Sequence, residues 1–115
     1  MTSKEMEARS GVPRANIRYY EAEGLLAPAR SGNGYRDYSE EDLRILEKIK
    51  LLRELHLDID TIRLVQKGEL PLERALFTLL TKLEGDKAAL DRAAQVCREL
   101  ERIGVEYGAL EPGPW

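Results

Sequence analysis

The stretch Ile17–Leu26, IRYYEAEGLL, sets an arginine and two tyrosines side by side and then halts at Gly24. Successive side chains on a helix point about 100° apart, so Tyr19 and Tyr20 cannot share one core. Residues three and four apart lie on one face, which groups Ile17 with Pro13, Tyr20 and Gly24. Ile17 is the member of that set that must be buried. Its face therefore points inward, and Tyr20 lays its ring on the core with the hydroxyl at the rim, within reach of a phosphate. The other face carries Arg14, Arg18 and Ala22, flanked by Ala15 and Tyr19.

Arg14, Arg18 and Tyr19, exposed together on a helix that fits a groove, form a DNA-reading set. Guanidinium forks suit guanine edges or phosphates, and a phenol suits phosphate or stacking. A plainer reading also fits these residues: Arg18 pairs with Glu21 or Glu23 on a solvated face, and the tyrosines are ordinary packing.

Working outward, Thr2 with Glu5 is a capping-box pattern that opens a first helix over Ser3 to Arg9, ended by Ser10-Gly11. Pro13 suits the first turn of a second helix, running to about Glu23 with Gly24 at its C-cap. Two short helices joined by a Gly-containing turn make a helix-turn-helix. Ala29 to Tyr38 reads as a small β-hairpin wing, with Asn33-Gly34 suited to a two-residue turn in which both residues take positive φ. Ser39 and Asp42 then cap a third helix, whose apolar stripe is Leu43, Leu46, Ile49, Leu52 and Leu55. Asp58 caps a short fourth helix carrying Ile59, Ile62 and Val65, which closes at Lys67-Gly68.

Pro71 opens the longest periodic segment. Leu72, Leu76, Leu79, Leu83, Leu90, Ala93, Cys97 and Leu100 fall on alternating spacings of four and three, with one gap at Asp86. So narrow a seam asks for a partner helix, most simply the same helix of a second copy. Gly85 and Asp86 mark an expected kink or chain crossing. The tail, rich in Gly and Pro and ending Pro114-Trp115, reads as irregular and leaves open whether more chain follows.

The totals agree with one small domain and an appendage: 115 residues, 43% hydrophobic and 34% charged. One cysteine excludes an internal disulfide and any multi-thiolate metal or iron–sulfur site, so no metal and no cofactor are expected. Cys97 on the seam reads as a small buried thiol. No apolar run approaches a membrane span, and the expected location is cytoplasmic, with no membrane contact. Net charge is −3, but residues 1–38 carry six basic against five acidic side chains, so the acidity lies beyond them. A local basic surface in the first part is compatible with the total. No nucleophile, base and orienter stand at a recognisable spacing, which argues against an enzyme.

The segments GVPRANIRYYEAEGLL and NGYRDYSEEDL, then a helix ending LLREL, in this order and spacing, resemble the MerR family of bacterial transcription regulators. The resemblance runs from about Thr2 to Gly68. It implies a mostly α fold: residues 1–69 a winged helix-turn-helix DNA-binding head, 70–104 an antiparallel coiled-coil dimerization helix, and 105–115 an irregular tail. It implies a homodimer on a near-palindromic promoter in double-stranded DNA, bent and untwisted so that RNA polymerase can use it. Arg18 and Tyr19 would contact DNA from the recognition helix, with Arg14 and Asn16 near its N-terminal end. Asn16 could read adenine, or be bonded locally. Tyr35 and Arg36 would contact backbone from the wing, and Arg53 would touch phosphate. Leu76, Leu79, Leu83, Leu90, Ala93, Cys97 and Leu100 would form the dimer seam. Two residues depart from the pattern: Glu7 stands where a small apolar residue is usual, and His56 where a turn glycine is usual. With no room for an effector domain after the long helix, the expectation is a chain without an effector, one with a partner as sensor, or one cut before its sensor. An architectural or chromosome-anchoring DNA-binding protein, or a targeting module of a longer chain, stays open beside the regulator.

Overall fold

A computed structural model describes residues 1–113 and 115. The elements in order are α1 (Ser3–Ser10), α2 (Arg14–Ala22), β1 (Ala29–Arg30), β2 (Arg36–Asp37), α3 (Glu40–Glu54), α4 (Ile59–Gln66), α5 (Leu72–Ile103) and a 3-10 turn at Tyr107–Ala109. The chain divides into two compact units, Met1–Ala75 and Leu76–Trp115.

In the first unit the helix starts follow from local chemistry. The Thr2 hydroxyl accepts from Glu5 N at 3.1 Å, Ser39 accepts from Asp42 N at 3.0 Å, and Asp58 accepts from Thr61 N at 2.7 Å. Each satisfies an otherwise unpaired amide of a first turn, worth about 0.5–2 kcal/mol. Each helix then sends its most deeply buried side chains to a common core: Met6 from α1, Ile17 from α2, Leu46 and Ile49 from α3, Ile62 from α4. Burying each contributes about 1.5–3 kcal/mol, which makes this cluster the main support of the head. On α3 the apolar stripe is buried through Ile49, half-buried at Leu52 and exposed at Leu55, where the helix has already ended.

Helices α2, α3 and α4 all finish in the same way. Gly24 N donates to Glu21 O and Leu25 N to Tyr20 O; His56 N to Arg53 O and Leu57 N to Leu52 O; Gly68 N to Val65 O and Glu69 N to Leu64 O. This paired pattern is the Schellman motif, and it needs a left-handed residue just past each cap. Gly24 supplies it at φ 78° without strain, whereas at the second site it is His56, at φ 75°, that adopts it. The turn glycine expected at His56 is thus missing from a position whose backbone calls for one.

The wing pairs Ala29 with Asp37 and Arg30 with Arg36, antiparallel. Its turn differs from the two-residue turn expected at Asn33-Gly34. Ser31 N donates to Tyr35 O, Gly34 N donates to Ser31 O, and only Gly34 has positive φ, at 85°. This is a three-residue loop ending in a left-handed glycine. Asn33 instead uses its side-chain oxygen, which accepts from Tyr35 N at 3.3 Å and from the Ser31 hydroxyl.

The second unit holds most of α5, whose 32 residues continue as one helix through Gly85 and Asp86, the place of the expected kink or chain crossing. Asp86 is instead tied along the helix to Lys82 at 3.1 Å. Of the seam residues, Leu79 is buried, Leu76, Leu83 and Leu100 are half-buried, and Leu90, Ala93 and Cys97 are exposed. Cys97, expected as a small buried thiol of the seam, is exposed in the single chain. Phe77 and Leu80, off the seam, are also exposed. The tail carries one 3-10 turn where no regular structure was expected. No described helix is long and apolar enough to cross a membrane.

Candidate nucleic-acid interface

The two adjacent tyrosines separate as helical geometry requires. Tyr20 is 7% exposed beside the buried Ile17, and Tyr19 is 48% exposed, their rings 5.9 Å apart and tilted at 55°. The outward face of α2 presents Arg14, Asn16, Arg18 and Tyr19, all exposed.

The position of α2 is fixed at both ends from other helices. Pro13 at its N-cap has no side-chain acceptor, and Glu7 of α1 replaces one: its Oε2 accepts from Arg14 N at 3.1 Å. The same carboxylate lies 3.4 Å from Arg14 Nε. At the other end Arg63 of α4 donates to Glu23 O and to the Glu23 carboxylate, and Gln66 Nε2 donates to Leu25 O at 3.1 Å. Arg63 also reaches Asp60 at 2.7 Å.

Glu21, the one acid within α2, is 11% exposed. It accepts from Arg36 Nε at 2.8 Å and from the Tyr38 hydroxyl at 2.6 Å. Burial and then the Glu21 carboxylate raise the pKa of Tyr38. Arg36, expected to face backbone from the wing, thus has its Nε committed to the recognition helix.

These pairings decide the alternative left open for Arg18. Glu21 belongs to Arg36 and Glu23 to Arg63, and among the described residues Arg18 has no ion pair. Asn16 likewise makes no side-chain hydrogen bond among the described residues; locally only its backbone N donates, to Pro13 O at 2.9 Å.

Between the face of α2 and the wing runs a groove of about 930 Å³. Its walls carry five cations, Lys4, Arg14, Arg18, Arg30 and Arg36, against two acids, Glu5 and Asp37. A chain with net charge −3 therefore keeps a basic surface in its first unit. Tyr35, 73% exposed, stands on the wall formed by the wing. Arg53 lies outside this groove near the end of α3, exposed, with Nη1 donating to Leu57 O at 3.1 Å.

Sequence reasoning missed Arg30, whose Nη1 reaches Gly34 O at 3.3 Å on the wing, although its place in the hairpin was a usable signal. It also missed Glu7, Glu21, Tyr38, Arg63 and Gln66. Glu7 reaches across the turn to Arg14, seven positions on, and the others touch partners fifteen or more positions away, so none leaves a periodic trace. Among the described residues no cluster of histidine, cysteine or carboxylate side chains could hold a metal ion.

Comparison with known proteins agrees with this geometry. Residues 1–69 match the model of the MerR HTH family regulatory proteins. An uncharacterized HTH-type transcriptional regulator of Pseudomonas aeruginosa is 39% identical over 111 residues, covering 96% of this chain and 76% of that protein. The HTH-type transcriptional regulator HmrR of Rhizobium leguminosarum bv. viciae is 33% identical over 102 residues, covering 89% and 79%. Among solved structures, the N-terminal part of the Bacillus subtilis multidrug transporter activator, MtaN, superposes with a TM-score of 0.75 at 26% identity, covering 92% of this chain and 99% of that one. With a winged helix-turn-helix head, a family match over more than half its length and regulators as its relatives, the chain belongs to the MerR family of helix-turn-helix transcriptional regulators.

Proposed function

We propose that the chain acts as a homodimer that binds a near-palindromic promoter and distorts it for RNA polymerase. Residues 1–69 read the DNA, residues 70–104 pair two copies, and residues 105–115 form a tail. Helix α2 enters the major groove, about 12 Å wide in B-DNA. Arg18 reads a guanine edge or grips phosphate, Tyr19 and Asn16 contact the groove beside it, and Arg14 lies at the rim. Arg30 and Tyr35 hold backbone from the wing. Tyr20 contributes its hydroxyl at most, and Arg53 meets phosphate from the end of α3. The exposed Leu90, Ala93 and Cys97 of α5 are covered by the same helix of the second copy.

The observation that carries this reading is Arg18, without an ion pair among the described residues, beside an exposed Tyr19, on a helix whose acid Glu21 and C-cap Glu23 neutralise other arginines. Footprinting on DNA upstream of the protein's own gene tests it. The expected result is one protected near-palindrome between promoter elements, with altered cleavage at its centre where the duplex is bent. Protection at many dispersed sites away from promoters would overturn it in favour of an architectural role.

A further inference from the structure

Glu21 presents a contradiction in a DNA-binding helix. A carboxylate on α2 repels phosphates, yet this one, one turn from Arg18, is nearly buried against the wing. Both of its side-chain bonds cross from α2 to the return side of the wing, to Arg36 on β2 at 2.8 Å and to Tyr38 just after it at 2.6 Å. Among the described residues no other side-chain hydrogen bond joins α2 to the wing. The hairpin strands are two residues each, too short to fix the angle of the wing by their own ladder. Tyr38 is itself anchored, its ring buried in the core of the head. Charge-assisted bonds in a partly desolvated site are the strong ones and are little screened by salt.

We propose that Glu21 is a positioning residue for DNA reading: through Arg36 and Tyr38 it locks the wing to the recognition helix, so that Arg18 and the wing cation Arg30 meet a duplex as one body. This rests on the DNA-binding reading above and adds to it the residue that sets the geometry between its two contact elements. The sign of the effect separates positioning from simple electrostatics. Removing a negative charge beside DNA strengthens binding to every sequence, whereas unlocking the wing weakens it.

The test uses the full chain and a duplex that the wild-type protein selects from a random library. Glu21→Gln and Arg30→Ala are made singly and together, and affinity is followed against salt. In the wild-type background, Arg30→Ala lowers the slope of log K against log salt by about one. Glu21→Gln alone weakens binding on the order of tenfold, and on that background Arg30→Ala shifts the slope by much less than one, because neighbouring sites that act together are not additive. Tyr38→Phe keeps the buried ring and removes only the hydroxyl; it shows the same loss of coupling and serves if Glu21→Gln fails to fold. Binding as tight as wild type or tighter, with Arg30 keeping its full contribution to the slope in both variants, overturns the inference. A wild-type chain that selects no duplex would instead overturn the DNA-binding reading, a separate failure.

Discussion

The Glu7 carboxylate of α1 accepts from the backbone N of Arg14 at 3.1 Å while standing 3.4 Å from the same residue's Nε. One acid thus caps the recognition helix and holds back a cation that lines its groove. Glu7→Gln keeps an acceptor for the cap and removes the charge. Both side chains are nearly half exposed, so the stability change stays within about 0.5 kcal/mol. Binding to all duplexes should tighten by a few-fold, with a salt slope steeper by up to about one. Affinity measured over a salt series checks it, and an unchanged slope would show that Arg14 stays away from DNA once freed.

Arg18→Ala should cost about 1–3 kcal/mol on the selected site and far less on unrelated DNA if the guanidinium reads a base. A uniform loss on every sequence, with a shallower salt slope, would assign it to phosphate. Titration of matched and scrambled duplexes distinguishes the two, and no loss on either removes Arg18 from the interface.

Leu90 is 70% exposed, so Leu90→Glu leaves the fold of each chain intact. In the proposed pair it places a charge in an apolar seam. Sedimentation should find a monomer, with palindrome affinity reduced by orders of magnitude through the lost second half-site. A persistent dimer would mean that copies meet through another face of α5, for which the exposed Phe77 and Leu80 are the obvious candidates.

His56 holds a left-handed backbone at φ 75° that glycine adopts freely. His56→Gly should stabilise the chain by about 0.5–1 kcal/mol, the relieved strain being partly offset by the greater freedom of glycine in the unfolded chain. A higher urea midpoint at unchanged m-value is the expected result. A lower midpoint would mean that the imidazole has contacts worth more than the strain.

What the sequence revealed had short reach. Tyr19 and Tyr20 could be separated because helical spacing ties them to one obligatory core residue, Ile17. The capping residues Thr2, Ser39 and Asp58 act within three positions, so their partners are visible in the same few letters. The wing turn was less legible, because Asn33-Gly34 is compatible with more than one loop and the strand pairing of Arg30 with Arg36 selects between them. The site as a wired object was not legible. Glu21 and Arg36 are fifteen residues apart, and Glu23 and Arg63 forty, and nothing in either spacing says they touch. Arg36 looked like a free cation for the same reason. Exposure on α5 follows a different logic, since Leu90 and Cys97 carry a core-like spacing whose other half is supplied by a second copy in the proposed dimer.

Helices α2, α3 and α4 each leave through the same two-bond elbow, with a single left-handed residue as its corner. Mechanically such a corner is a bracket and not a string: it resists opening and twisting alike. Strain imposed on α2 by a stiff ligand meets this corner at its exit, and Arg63 bolts that exit to α4. The head should then respond to load as a single casting, yielding where it is joined to others before it yields within.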